Sequence, residues 1–101
     1  MSVTATVSGD NNTAIIKVSG RFDFSVHNDF RKAYKDIDLA RGEYIVDLMN
    51  TEYLDSSALG MMLLLKEFAD SSASTVRITN ANNEILEILK IASFDKLFLI
   101  N

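Results

Sequence analysis

The 101-residue chain contains no cysteine. Disulfides, thiol catalysis and thiolate metal sites are thereby excluded, and a reducing compartment is allowed. It contains no proline and no tryptophan either, and a single histidine, His27. One histidine leaves little for imidazole catalysis. A hydrolytic triad would require His27 to meet Ser56 or Ser57 with an acid behind it. His27 instead falls among polar residues and reads as a surface histidine. No apolar run approaches the roughly 20 residues of a membrane span; the longest is Met61 to Leu65 with its neighbours. The first residues, Met1 to Thr6, lack the basic and apolar regions of a secretory leader, so none is expected. There is no glycine-rich phosphate loop. Ser56-Ser57 lacks the G-x-S-x-G frame of a nucleophile elbow. Asp23, Asp47 and Asp55 do not follow the spacing of a calcium loop and read as solvated or capping acids. No cofactor or metal is expected, and the residues point away from an enzyme.

What remains is ordinary globular composition, with 48 % hydrophobic and 24 % charged residues. The net charge of −4, with no basic run, argues against duplex nucleic acid or an anionic membrane as partner. The length suits one domain, 1–101, able to bury a core without disulfides or metal. A cytoplasmic monomer is the default expectation.

Val3, Ala5 and Val7 alternate with polar residues, as does Thr13 to Ser19. Around Gly9-Asp10-Asn11-Asn12 they predict a β-hairpin. Gly20 to Ser25 breaks the alternation and reads as a loop, with Ser25 as N-cap of a helix. Val26, Phe30, Ala33, Tyr34 and Ile37 form that helix's apolar stripe. Tyr44 to Leu48 is apolar on both faces apart from Asp47, which suits a central strand covered by helices. Asn50 to Asp55 reads as a polar connection, and Ser56 to Ala69 as a second helix rich in strong helix formers. Thr75 to Thr79 alternates as a strand. Asn82 or Asn83 caps a third helix carrying Ile85, Ile88, Leu89 and Ala92, and Leu97 to Ile100 forms a last strand. The order β-β-α-β-α-β-α-β predicts an α/β domain with a mixed sheet of four to five strands packed by helices.

Two features stand out. In Leu54-Asp55-Ser56-Ser57-Ala58-Leu59-Gly60, Asp55 or Ser56 caps the second helix and satisfies its free N–H groups. A serine there is also exposed at the positive end of the helix dipole, where an added phosphate finds N–H partners and a favourable field. Asp55 opposes it by like charge. The second feature is the unbroken apolar run Met61 to Leu65. A helix flanked by other helices accounts for it; the alternative is a docking patch including Met61 and Met62, since methionine adapts to partners.

The chain resembles the STAS domain family, in particular single-domain bacterial anti-sigma factor antagonists. The resemblance covers nearly all of it. It rests on the element order, on Gly20-Arg21-Phe22-Asp23 and on Val46-Asp47-Leu48. Tyr53-Leu54-Asp55-Ser56-Ser57-Ala58-Leu59-Gly60 is its most specific part. The resemblance implies a regulatory phosphorylation site at Ser56 and a partner-binding surface of Asp23, Asp55, Ser56, Ser57, Ala58, Gly60, Met61 and Met62. It implies partner switching. The unphosphorylated protein binds an anti-sigma factor, often a serine kinase of the histidine-kinase-like ATPase fold, and frees the sigma factor. Phosphorylation breaks that complex, and a PP2C-type phosphatase restores it. The alternative is a STAS subunit of a larger assembly, such as a lipid-transport ATPase or a stress-signalling complex, with no phospho-switch. Two positions depart from the family pattern. Ala58 stands where glycine is usual, so the helix is expected to start firmly at Ser57 with an extra methyl beside the serine. Arg21 stands where an acidic residue is common.

Overall fold

The computed structural model describes residues 2–101. Strands β1 (Val3–Val7) and β2 (Thr13–Val18) form the expected antiparallel hairpin, with Val3 opposite Val18 and Val7 opposite Ala14. The turn holds its shape through Asp10. Its carboxylate accepts from the Ser8 hydroxyl and the Asn12 N–H, while Asn11 takes the left-handed conformation that asparagine tolerates.

Next come β3 (Gly20–Phe22), a 3-10 turn at Phe24–Val26 and helix α1 (His27–Lys35). Strands β4 (Glu43–Asp47) and β5 (Thr51–Leu54) lead into helix α2 (Ser56–Asp70). Strand β6 (Thr75–Thr79), helix α3 (Asn83–Ile91) and the two-residue β7 (Leu99–Ile100) complete the chain. The main sheet has the order β1-β2-β4-β6-β7. Only the β1–β2 pair is antiparallel; β2–β4, β4–β6 and β6–β7 are parallel. The α/β class, the mixed five-stranded sheet and the three helices are as the sequence predicts.

Each parallel step advances the same way across the sheet. Right-handed crossovers then set α1, α2 and α3 on one face. Burial agrees. Ala14, Ile16, Val18, Tyr44, Val46, Leu48 and Ile78 are fully buried on that face. Their neighbours Ile15, Glu43, Ile45, Asp47 and Arg77 are only half-buried. The central strand β4 is therefore covered by helices on one face, not on both as its apolar run suggests. Glu43 and Arg77 pair across the open face at 3.2 Å.

Other differences have local causes. Gly20–Phe22 and Thr51–Leu54, read as loops, are strands that pair only with each other, in parallel. Gly20 enters β3 at φ +78, which a residue with a Cβ adopts with strain; its N–H donates to Asn50 O at 2.8 Å. Ser25 is not the N-cap of α1. Asp23 caps the 3-10 turn instead, and α1 follows from Val26 without a side-chain cap. Of the alternatives for the third helix, Asn82 is the cap, its side chain accepting from Ile85 N–H at 2.9 Å. Ile85 and Leu89 are buried, but Ile88 is exposed. The last strand is shorter than expected because the Leu97 and Phe98 N–H groups still donate to Phe94 O, closing the 3-10 turn Phe94–Lys96.

Candidate functional site

The β3–β5 pairing brings together two segments about 30 residues apart. Phe22 lies opposite Leu54, and the Asp55 N–H donates to Phe22 O at 3.4 Å. The turns leaving the two strands, at Asp23 and at Asp55, thereby come side by side. Both aspartates use their carboxylates in the same way. Asp23 accepts from the Ser25 N–H and hydroxyl. Asp55 accepts from Ser57 N–H at 3.1 Å, Ala58 N–H at 3.2 Å and the Ser57 hydroxyl at 2.6 Å. Of the two capping alternatives, Asp55 is therefore the cap. Helix α2 begins at Ser56, as its run of helix formers predicts, and not at Ser57 as the Ala58 departure implies.

This capping separates the two serines. Ser57 is half-buried and its hydroxyl is committed to Asp55. Ser56 is exposed, and its hydroxyl has no hydrogen-bond partner among the described residues. Asp55 also alters the expectation for an added phosphate. Two N–H groups of the first turn already serve the aspartate, so a phosphate on Ser56 would find the helix end occupied by a like charge.

Around these groups the surface is aromatic as well as acidic. Arg21 lies over the Tyr53 ring, 4.2 Å from its centroid, and its Nε pairs with Asp23 at 3.2 Å. Phe24 is 65 % exposed and stacks on His27 at 4.1 Å. The His27 Nδ1–H donates to Phe24 O at 3.1 Å. The sequence signals Phe24 only as an aromatic residue between an aspartate and a serine in a breaking segment. The positive Arg21 does not stand alone where an acid is common, because Asp23 and Tyr53 engage it.

Three of the residues expected to touch a partner are in fact core. Ala58 and Met62 are fully buried and Met61 is 8 % exposed. With Leu65 and Ala69 they form the stripe by which α2 packs inward. Residues 58, 61, 62, 65 and 69 share one helical face, so the run Met61–Leu65 divides between that face and the outside. Its exposed members are Leu63 and Leu64, not the methionines. The Ala58 methyl likewise points into the core, away from Ser56. Gly60 is the opposite case. It is exposed, and a Cβ there would meet nothing within 4 Å. A glycine in a helix interior with free space beside it weakens the helix. Gly60→Ala is therefore expected to stabilise the domain by about 0.5–1 kcal/mol, measured by urea denaturation.

Hydrogen bonds from the Ser25 side chain, then its N–H, hold the Asp23 carboxyl below the ordinary aspartate value of 3.8. A group depressed in the folded state supports folding above its unfolded value, and that support is lost as pH falls through the folded value. The Asp23 carboxyl carbon is expected to titrate below 3.8 by NMR, and Ser25→Ala to return the midpoint toward that value. Among the described residues no cluster of three or more His, Asp or Glu side chains could hold a metal ion, and no helix is long and apolar enough to cross a membrane.

The chain belongs to a STAS domain family: the family model described as "Mlab, STAS domain" matches residues 5–101. A STAS-domain containing protein of Pseudomonas aeruginosa (strain UCBPP-PA14) is 44 % identical over 101 residues, all of both chains. Among solved structures, one described as an anti-sigma factor antagonist from Thermotoga maritima superposes with a TM-score of 0.80 at 16 % identity, covering 97 % of this chain and 84 % of that one. The anti-sigma factor antagonist SpoIIAA in its unphosphorylated form gives 0.74 at 13 % identity, covering 98 % and 86 %. At such identities these two likenesses establish the fold alone.

Proposed function

We propose that the chain is a non-enzymatic binding module of the cytoplasm, an anti-sigma factor antagonist switched by phosphorylation of Ser56. Unphosphorylated, it holds an anti-sigma factor that is itself a serine kinase of the histidine-kinase-like ATPase fold, and so frees a sigma factor. The phosphorylated form lets go, and a PP2C-type phosphatase resets it. The contact face comprises Asp23, Asp55, Ser56, Ser57 and Gly60, with Phe24 and Tyr53 beside them. Ala58, Met61 and Met62 support that face from beneath.

The observation that carries this reading is the unequal pair of serines. Ser56 presents a free hydroxyl at the helix end, while Ser57 is tied to Asp55. A kinase that needs a free, exposed hydroxyl finds it at Ser56. The modification then adds about −1.5 to −2 charges beside Asp55, which already holds the Ser57 and Ala58 N–H groups. At an interface that dianion must be desolvated or matched by a cation.

The test is a pull-down from the native cells with wild type, Ser56→Ala and Ser56→Asp as baits, read by mass spectrometry. A kinase-like anti-sigma factor held by wild type and Ser56→Ala but lost with Ser56→Asp supports the switch. One ATPase held in equal amount by all three baits overturns it in favour of a constitutive subunit of a larger assembly.

A further inference from the structure

Helices α1 and α2 lie side by side, and a groove of about 520 Å³ opens between them. That volume is within the range of small-molecule sites. The groove is separate from the serine site; Ser56 does not line it. Its two walls differ in chemistry. On α1, His27, Arg31 and Lys35 recur every fourth residue and form a polar stripe whose two cations are Arg31 and Lys35. On α2, Met61, Leu64 and Phe68 recur at i, i+3 and i+7 and form an apolar one. Leu64 is 58 % exposed, which is unusual for a leucine facing a helix neighbour. Arg31 and Lys35 are exposed, and no described carboxylate pairs with either within 4.0 Å. In a chain of net charge −4, two adjacent cations without an acid are a local excess of the opposite sign.

The floor adds a polar group. Tyr34 lines the groove with its ring largely buried, and its hydroxyl, which no described residue meets, reaches solvent. The other deeply buried tyrosine, Tyr44, donates to Ile37 O at 2.8 Å. Burial raises the Tyr34 hydroxyl above its ordinary value, and the charge of Arg31 acts against that shift. Arg31 stands one turn before Tyr34 on α1, and both line the groove.

We infer that this groove binds a single-chain anionic amphiphile, an alkyl carboxylate, with its headgroup between Arg31 and the Tyr34 hydroxyl and its chain along Met61, Leu64 and Phe68. Guanidinium and phenol are both donors, and a carboxylate accepts from both. Each methylene buried on the α2 stripe strengthens binding about fourfold. The apolar stripe runs about 10 Å at 1.5 Å per residue. A groove of about 520 Å³ takes a ligand of this size, whereas a partner helix, about 10–12 Å across with its side chains, sits on its rim.

The probe is dodecanoate below its micellar concentration, titrated into the ¹⁵N-labelled full chain. Saturable amide shifts confined to His27–Lys35 and Met61–Phe68 are expected. Octanoate is expected to bind more weakly, and dodecyltrimethylammonium not to reproduce the pattern. Arg31→Glu and Leu64→Asp, both at exposed positions, are each expected to weaken binding at least tenfold with unchanged circular dichroism. Non-saturable shifts, shifts centred elsewhere, equal binding of the cationic detergent, or indifference to Arg31→Glu would overturn the inference. So would binding of an acidic amphipathic peptide at these residues without any binding of dodecanoate, which would assign the groove to a protein segment.

Discussion

Ser56→Asp is expected to weaken binding of the anti-sigma partner by two to three decades, while Ser56→Ala binds at or near wild-type strength. That loss corresponds to about 3–4 kcal/mol. Its source is local. Asp55 already occupies two first-turn N–H groups, accepting from Ser57 and Ala58. A second negative group one residue away cannot share them and must face the partner. Because Ser56 is exposed and its hydroxyl has no hydrogen-bond partner among the described residues, neither replacement removes an internal contact. Both variants should melt within a few degrees of wild type, so a binding difference reports the interface and not the fold. Isothermal titration of the three proteins against the purified partner checks this. Equal affinities would show that charge at this position lies outside the contact. Phosphorylation with the purified kinase should place one phosphate, on Ser56; a phosphate on Ser57 would contradict the assignment of the free hydroxyl.

The second large effect is on stability. Phe22→Ala is expected to cost about 3–5 kcal/mol and to lower the melting temperature by roughly 12 °C or more. Phe22 is fully buried and its ring packs 5.1 Å from that of Phe30 on α1. Its carbonyl accepts from the Asp55 N–H. Beyond the cavity, the substitution should loosen the β3–β5 pair, so the Asp55 amide should exchange with solvent faster relative to the amides of β4. Calorimetry reads the first effect and hydrogen exchange the second. A melting shift below about 4 °C would mean that the site is held by the backbone pairing alone.

Much of this arrangement is visible in the sequence because it is local. The hairpin shows in period-two alternation around a turn cluster, and α2 shows in its helix formers and in the capping residues before it. The motif from Tyr53 to Gly60 marks the site. What could not be read was set by distant parts of the chain. Strands β3 and β5 are three and four residues long, too short for a period, and each is stabilised by the other across some 30 positions. The burial of Met61 and Met62 could not be separated from exposure by composition. It depends on which arc of α2 faces the sheet, and a five-residue apolar run covers more than one arc. The half-open far face of β4 escaped for a related reason. Ile45 is apolar, but nothing in the strand says that every crossover returns on the same side.

The two-stranded β3–β5 pair has a consequence for anyone who would move this site to another scaffold. The stretch from Leu54 to Gly60 can be copied as a helix start, but its attitude comes from elsewhere. The Asp55 amide hangs on Phe22 O, Gly20 N–H on Asn50 O, and the Thr51 hydroxyl donates to Val18 O at 2.7 Å. A transplanted loop without residues 18–25 would carry Ser56 and lose its bearing. The portable unit is the pair of segments, 18–25 and 50–60, and a graft that omits either should present the Ser56 face in the wrong attitude.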